Sequence, residues 1–162
     1  MKFVLSLLLM LAGLEVGECR TEAMTAPRQV LEILESVQFR VTGKVSDIPQ
    51  SALIRAGAIG NDEKLETQIT DIRQRFNPGD VVRRGYIMRL LNFGGISDHY
   101  LVLCYLKGGY GLSCNLLLIG GLDTTPRILF RASLFGECKT LDDVKERLRV
   151  GQFQVLEDMR HL

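Results

Sequence analysis

Residues 100–120 read YLVLCYLKGGYGLSCNLLLIG. Two runs, 100–106 and 112–119, are apolar at nearly every position, and the glycine-rich stretch Lys107-Gly108-Gly109-Tyr110-Gly111 separates them. Strand formers on either side of paired glycines are the pattern of a β-hairpin. A strand with one wet face alternates apolar and polar residues, because successive side chains point to opposite sides. These two runs do not alternate, so both of their faces must be covered. The chain is therefore expected to place a sheet near its middle, with both faces of these strands covered.

The flanking sequence supplies the other elements. Glycine pairs at 94–95, 108–109 and 120–121 recur at intervals of about a strand plus a turn, which predicts an antiparallel meander with residues 127–135 as a further strand. Residues 65–76 and 81–92 are strand-like and flank Asn77-Pro78-Gly79-Asp80, where proline before glycine favours a type II turn, so a hairpin is expected there. Phe39, Val41 and Val45 alternate with polar residues and predict a strand over 39–47. Val30, Ile33, Leu34 and Val37 follow helical spacing behind Pro27 and predict a helix over 27–38. Thr140, with Asp143 three residues on, opens a second helix with Leu141, Val144 and Leu148 inward and Gly151 as its stop. Residues 48–64 show no sustained period and are broken by Pro49, Gly57 and Gly60, so they are expected to be loop with an edge segment. A short strand (FQVLED) closes the chain.

Together these make one α+β domain: an antiparallel meander of about six to seven strands, curled or barrel-like, with an N-terminal helix and a short helix near the C-terminus. Such an order is compatible with the half-barrel architecture of periplasmic lipoprotein carriers, and equally with cystatin-like or small-barrel folds; at the level of architecture it carries no function. Two terminal helices can cover one sheet face. The other would need a curled-over sheet, a second subunit or an apolar ligand.

The compartment is read from the first residues. Lys2 precedes an uncharged apolar run over residues 3–14, too short to cross a bilayer and followed at once by Glu15, Glu18 and Arg20. That is the pattern of a secretory signal peptide over residues 1–19, with cleavage as late as residue 23, ahead of a single exported domain over 20–162. Val16-Gly17-Glu18-Cys19 also approaches a lipoprotein signal, although Glu18 stands where a small residue is usual. Lipid on Cys19 would convert a secreted or periplasmic protein into an envelope-anchored one. The formal net charge of +1 offers no large basic surface for nucleic acid, and membrane contact is expected only with a lipidated Cys19.

Export permits disulfides. Cys104 and Cys114 are equidistant from Gly109, so a hairpin centred there would set them directly opposite each other. Cys138 follows another strand and could pair with either. With Cys19 removed, three cysteines always leave one thiol over, and three buried reduced thiols are the other option. No CxxC occurs and only two histidines are present, so neither a metal site nor a cofactor is expected.

Few residues suggest chemistry. Ser97-Asp98-His99 spells a triad in a row, but triad members must converge in space and neighbours on an extended chain diverge. Gly108-Gly109-Tyr110-Gly111 stands between strands, where a nucleotide-binding glycine run would lead into a helix. Arg73, Arg75, Arg83 and Arg84 surround the Pro78-Gly79 turn and are candidate contacts for an anion or an acidic partner; a symmetrical hairpin would set Arg73 opposite Arg84. The sequence thus favours an exported, non-enzymatic domain that binds an apolar small molecule or a protein partner. The alternatives are a secreted hydrolase using His99, and a structural or inhibitory protein acting through the arginine hairpin.

Overall fold

The structure, a computed structural model, describes residues 25–156 except 73, 80–85 and 110. Six strands form one sheet in sequence order: β1 (Arg40–Thr42), β2 (Arg89–Ile96), β3 (Tyr100–Lys107), β4 (Ser113–Gly120), β5 (Arg127–Leu134) and β6 (Phe153–Val155). Every neighbouring pair is antiparallel. The α+β meander is therefore present, but β1 and β6 remain separate edges and the sheet does not close into a barrel. Nothing pairs the short outer strands with each other, so closure has no hydrogen bonds to hold it.

The ladder sorts the apolar runs onto two faces. Val102, Cys104, Leu106, Cys114, Leu116, Leu118, Phe130, Ala132 and Leu134 belong to one buried cluster. Leu101, Leu103, Tyr105, Leu117, Ile119 and Ile128 belong to another. Both faces of the central strands are covered, as their lack of alternation requires. Each fully buried leucine contributes about 1.5–3 kcal/mol from removal of its surface from water.

The first face is covered by two helices from the ends of the chain. Helix α1 (Pro27–Ser36) lays Val30 and Leu34 on the sheet, and α4 (Leu141–Arg149) lays Val144 and Leu148 beside them. Pro27 starts α1, where its missing N–H is no loss. At α4 the Thr140 hydroxyl accepts from the Asp143 N–H while the Asp143 carboxylate accepts from the Thr140 N–H, a complete capping box. Gly151, at φ +73°, takes the left-handed turn after the helix. A β-bulge at Leu129 leaves that residue outside the β4–β5 register, and its carbonyl accepts from the Thr25 N–H at 2.7 Å, which ties the lead-in to α1 onto the sheet.

The second face is covered by residues 45–69, the stretch with the least sequence pattern. It contains one 3-10 turn (Val45–Asp47), helix α2 (Gln50–Arg55) and the single helical turn α3 (Leu65–Gln68). Val45, Ile48, Leu53, Ala58, Ile59, Leu65 and Ile69 are its buried contacts. Side chains stitch the pieces together: the Gln50 amide donates to the Glu63 carbonyl at 3.1 Å and its oxygen accepts from the Leu65 N–H at 3.2 Å. Glu63 Oε2 accepts from the Gly60 N–H at 3.0 Å, and Asp71 Oδ1 from the Val45 N–H at 2.6 Å. The second cover is thus the chain itself.

Four expected elements differ. Residues 48–64 are not loop with an edge segment: they carry α2 and pack Ile48, Leu53, Ala58 and Ile59 on the second face, where burial and not periodicity decides their structure. The strand over 39–47 ends at Thr42, because Val45 turns down onto the second face in a 3-10 turn. Gly94-Gly95 is no turn but lies inside β2. A Cβ on Gly94 would stand 2.3 Å from Ile48 Cδ1, so glycine there is what lets the second layer approach the sheet. The hairpin about Pro78-Gly79 is not formed over 65–76. Leu65–Gln68 is helical, a turn closes from Asp71 to Gln74, and Thr70 and Phe76 make only isolated parallel bridges to Leu90 and Ile87. The Asp71 carboxylate and Thr70 hydroxyl bond side chains and backbone nearby, which competes with a continuous ladder.

Candidate functional site

At one end of the sheet three connections converge: residues 37–39 between α1 and β1, the β2–β3 turn at Asp98-His99, and the β4–β5 loop over 121–126. Ser97 and Tyr100 close the first hairpin. The Ser97 N–H donates to the Tyr100 carbonyl at 2.9 Å, and Ser97 Oγ accepts from the Tyr100 N–H at 3.0 Å. The two hairpin loops are fastened to each other: the Leu122 N–H donates to the His99 carbonyl at 3.2 Å, and His99 Nδ1 lies 3.1 Å from Asp123 Oδ2. The His99 contact holds the Asp123 carboxyl below its ordinary pKa, helped by a backbone bond. Gly121 makes the second loop possible. Its φ is +74°, and a Cβ there would stand 2.7 Å from the Thr125 carbonyl oxygen.

Two open clefts flank Tyr100 at this end. One, of about 650 Å³, is lined by Val37, Phe39, Arg40, Ile96 and His99 among others. The other, of about 620 Å³, runs past Arg55, Gly121, Thr125 and Arg127 and contains no carboxylate in its lining. The His99 ring meets Tyr100 edge-on at 6.5 Å between centroids. A tyrosine with an apolar body and a polar tip, set between two grooves, is suited to packing against a partner.

The structure brings His99 to a carboxylate, but to Asp123 and not to its neighbour Asp98. Ser97 is turned back into its own hairpin, and Cys104 is buried in the first core, so neither is placed as a nucleophile for His99. The His99 and Asp123 side chains are 63% and 46% exposed. Among the described residues no group of three His, Cys, Asp or Glu could hold a metal ion.

All three candidate cysteines gather in the first core as free, buried thiols. The expected direct opposition of Cys104 and Cys114 is not found: Cys104 pairs with Leu116, and Cys114 with Leu106. The ladder is centred one residue later than Gly109, which turns the pair into diagonal neighbours on the same face. Their sulfurs are 3.5 Å apart. A β-bulge at Asn92 aims its side chain into the group, so that both Asn92 and Phe93 escape the strict alternation of β2. The Asn92 amide donates to the Cys138 carbonyl at 2.7 Å and lies 4.0 and 3.9 Å from the Cys104 and Cys114 sulfurs. A hydrogen bond to Cys104, with burial adding to it, pushes the Cys114 thiol up to about 12. Cys138 is pushed further, first by Cys114 and then by burial, with Arg147 opposing.

Of the four candidate arginines, Arg73, Arg83 and Arg84 lie outside the described residues, as does Cys19, and Arg75 is exposed. A different basic group is formed on the second sheet face, where Arg89 and Lys107 pair at one end of the ladder and Arg131 stands further along it, opposite Leu117. Desolvation lowers the pKa of Arg89, with Arg131 adding to it, and Lys107 is lowered by desolvation and then by both arginines. Arg131 is only 7% exposed. Its signal was available in the sequence as a charge between Phe130 and Ala132, inside an otherwise apolar strand. No family model, curated protein or solved structure matches this chain.

Proposed function

We propose that this chain is an exported, non-enzymatic binding domain, and that it engages a protein partner at the loop end of its sheet, across Tyr100. The observation that carries the reading is the pair of open clefts on either side of Tyr100. Fastening of the two hairpin loops through His99 supports it, since a preformed surface loses less freedom on binding. The apolar leader over residues 3–14 supports export, with a lipid-anchored form if Cys19 is acylated. A buried apolar ligand has less support, because residues 45–69 already cover the rows that would have called for one. A hydrolase using His99 has less support too, because no nucleophile stands beside the imidazole among the described residues.

The test is affinity measured on protein recovered from an exporting host. A partner isolated from the same extracellular or periplasmic fraction should bind the purified protein directly. Tyr100→Arg should weaken that binding at least 10-fold, while Arg28→Ala, on the exposed side of α1, should leave it unchanged. Equal binding by wild type and Tyr100→Arg would overturn the assignment of the surface. A small molecule seen in native mass spectrometry and released on denaturation, with no protein partner, would overturn the class of ligand.

A further inference from the structure

We infer that Cys114 and Cys138 are the pair that becomes a disulfide, with Cys104 left as the odd thiol. The three sulfurs share one buried site, but the backbone beneath them is not equally free to let them bond. Cys104 and Cys114 sit on adjacent strands at diagonal positions, two residues out of register. Diagonal neighbours have Cα atoms about 7–8 Å apart, beyond the span a disulfide tolerates, and ladders on both sides hold β3 and β4 where they are. Their sulfurs touch without a backbone geometry that could bring them to bonding distance.

Cys138 is placed differently. It lies between β5 and α4, outside any strand, so its Cα can shift without breaking a ladder. Its backbone is drawn into the site from two directions: the carbonyl accepts from the Asn92 amide at 2.7 Å and from the Cys104 thiol at 3.6 Å. Cys104 is thereby engaged with the Cys138 backbone, while Cys114 Sγ stands 3.9 Å from the same Asn92 amide nitrogen that holds the Cys138 carbonyl. Cys114 also lines a small cavity of about 130 Å³ with Leu106, Leu112, Leu134, Gly136 and Glu137, which leaves room on the side from which the 136–138 loop would approach.

The chemistry is thiol–disulfide exchange with a small-molecule disulfide as oxidant. One cysteine thiolate attacks a sulfur of the oxidant, forming a mixed disulfide and expelling one thiolate. The second cysteine thiolate then displaces the other, so two electrons pass from the two cysteines to the oxidant, which leaves as two thiols. Raised thiol pKa values in the folded core slow this attack, so the bond forms as the chain folds and not afterwards. An oxidising compartment rests on the export reading; the experiment supplies its own oxidant, so the pairing is tested apart from it.

Full-length chain carrying Cys19→Ser is refolded in a glutathione redox buffer, denatured, alkylated and digested for mass spectrometry. The expected result is a Cys114–Cys138 linked peptide with Cys104 alkylated. Reduction should then lower the thermal midpoint by roughly 5–10 °C in this protein and in its Cys104→Ala variant, and by nothing in Cys138→Ser. A link involving Cys104, or three alkylated thiols in folded protein, overturns the inference. If Cys138→Ser fails to fold, the linked peptide and the behaviour of Cys104→Ala decide it.

Discussion

The two faces of the sheet are equally buried but are covered by different kinds of structure. On the first, α1 and α4 each present a regular stripe, α1 opening on Pro27 and α4 on the Thr140–Asp143 capping box. On the second, residues 45–69 cover the sheet with a 3-10 turn and two short helices held by glutamine, glutamate and aspartate side chains bonded to backbone. Regular helices satisfy their own backbone polar groups, so they need only an apolar stripe to dock. Irregular chain must find partners for each buried N–H and C=O, which is why the second layer spends polar side chains along its length, where the first uses them at the α4 N-terminus. The first layer should therefore fail together with the sheet, and the second should be able to detach from it.

The largest effect expected is at the centre of the first face. Phe130 is fully buried on β5 and meets Phe153 edge-on at 6.1 Å. Phe130→Ala should cost about 3–5 kcal/mol, since it removes both the transfer free energy and the packing around a cavity. Denaturant unfolding followed by two probes, one on a helix and one on the sheet, should show a single transition shifted as a whole. Separate transitions would mean that the first face is not one cooperative unit.

Leu53 is the counterpart on the second face, buried at 0% exposure in α2. Leu53→Ala should cost about 2–4 kcal/mol locally. Native-state hydrogen exchange is the sharper readout: amides over 52–58 should lose protection while those of β3 and β4 keep theirs. Equal loss in both would erase the distinction between the layers.

The same contrast explains what could be read from the sequence. Helix α1, the capping box of α4 and strands β3, β4 and β5 were legible because each has a periodic or capping signature that a single sequence displays. The cover of the second face was not, because the Gln50 side chain acts through individual bonds across 13 and 15 residues, which leave no period. Gly94-Gly95 reads as a turn in sequence, and only the approach of Ile48 shows why glycine stands inside a strand. The thiol cluster was legible as a set of three residues but not as a geometry, since moving the ladder centre by one residue turns opposite neighbours into diagonal ones. The joining of His99 to Asp123 was hidden because the two loops are brought together only by the fold.

The smallest effect tests the capping box of α4, which neither α1 nor α2 shares. Thr140→Ala should cost about 1 kcal/mol, the usual worth of an N-cap hydroxyl. Asp143 adds a pH dependence. Bonds from the Lys139 and Thr140 N–H groups and the Thr140 hydroxyl hold its carboxyl below the ordinary value. A carboxylate with a depressed folded pKa stabilises fully above its unfolded value, near 3.9, and loses that contribution as pH falls through the folded value. Asp143→Asn keeps the side-chain oxygen but not the charge, so at neutral pH it should cost only about 0.3–1 kcal/mol at this exposed helix end. Thermal midpoints of wild type and Asp143→Asn should differ at pH 6 and converge toward roughly pH 2. A gap that stays constant with pH would show that the charge contributes nothing and that the cap works through geometry alone. The second layer has no such cap in α2, whose N-cap is Pro49 and accepts no side-chain bond. Acid should therefore weaken the docking of α4 through its own terminus, while leaving that of α2 to depend on Leu53 and the Gln50 bonds.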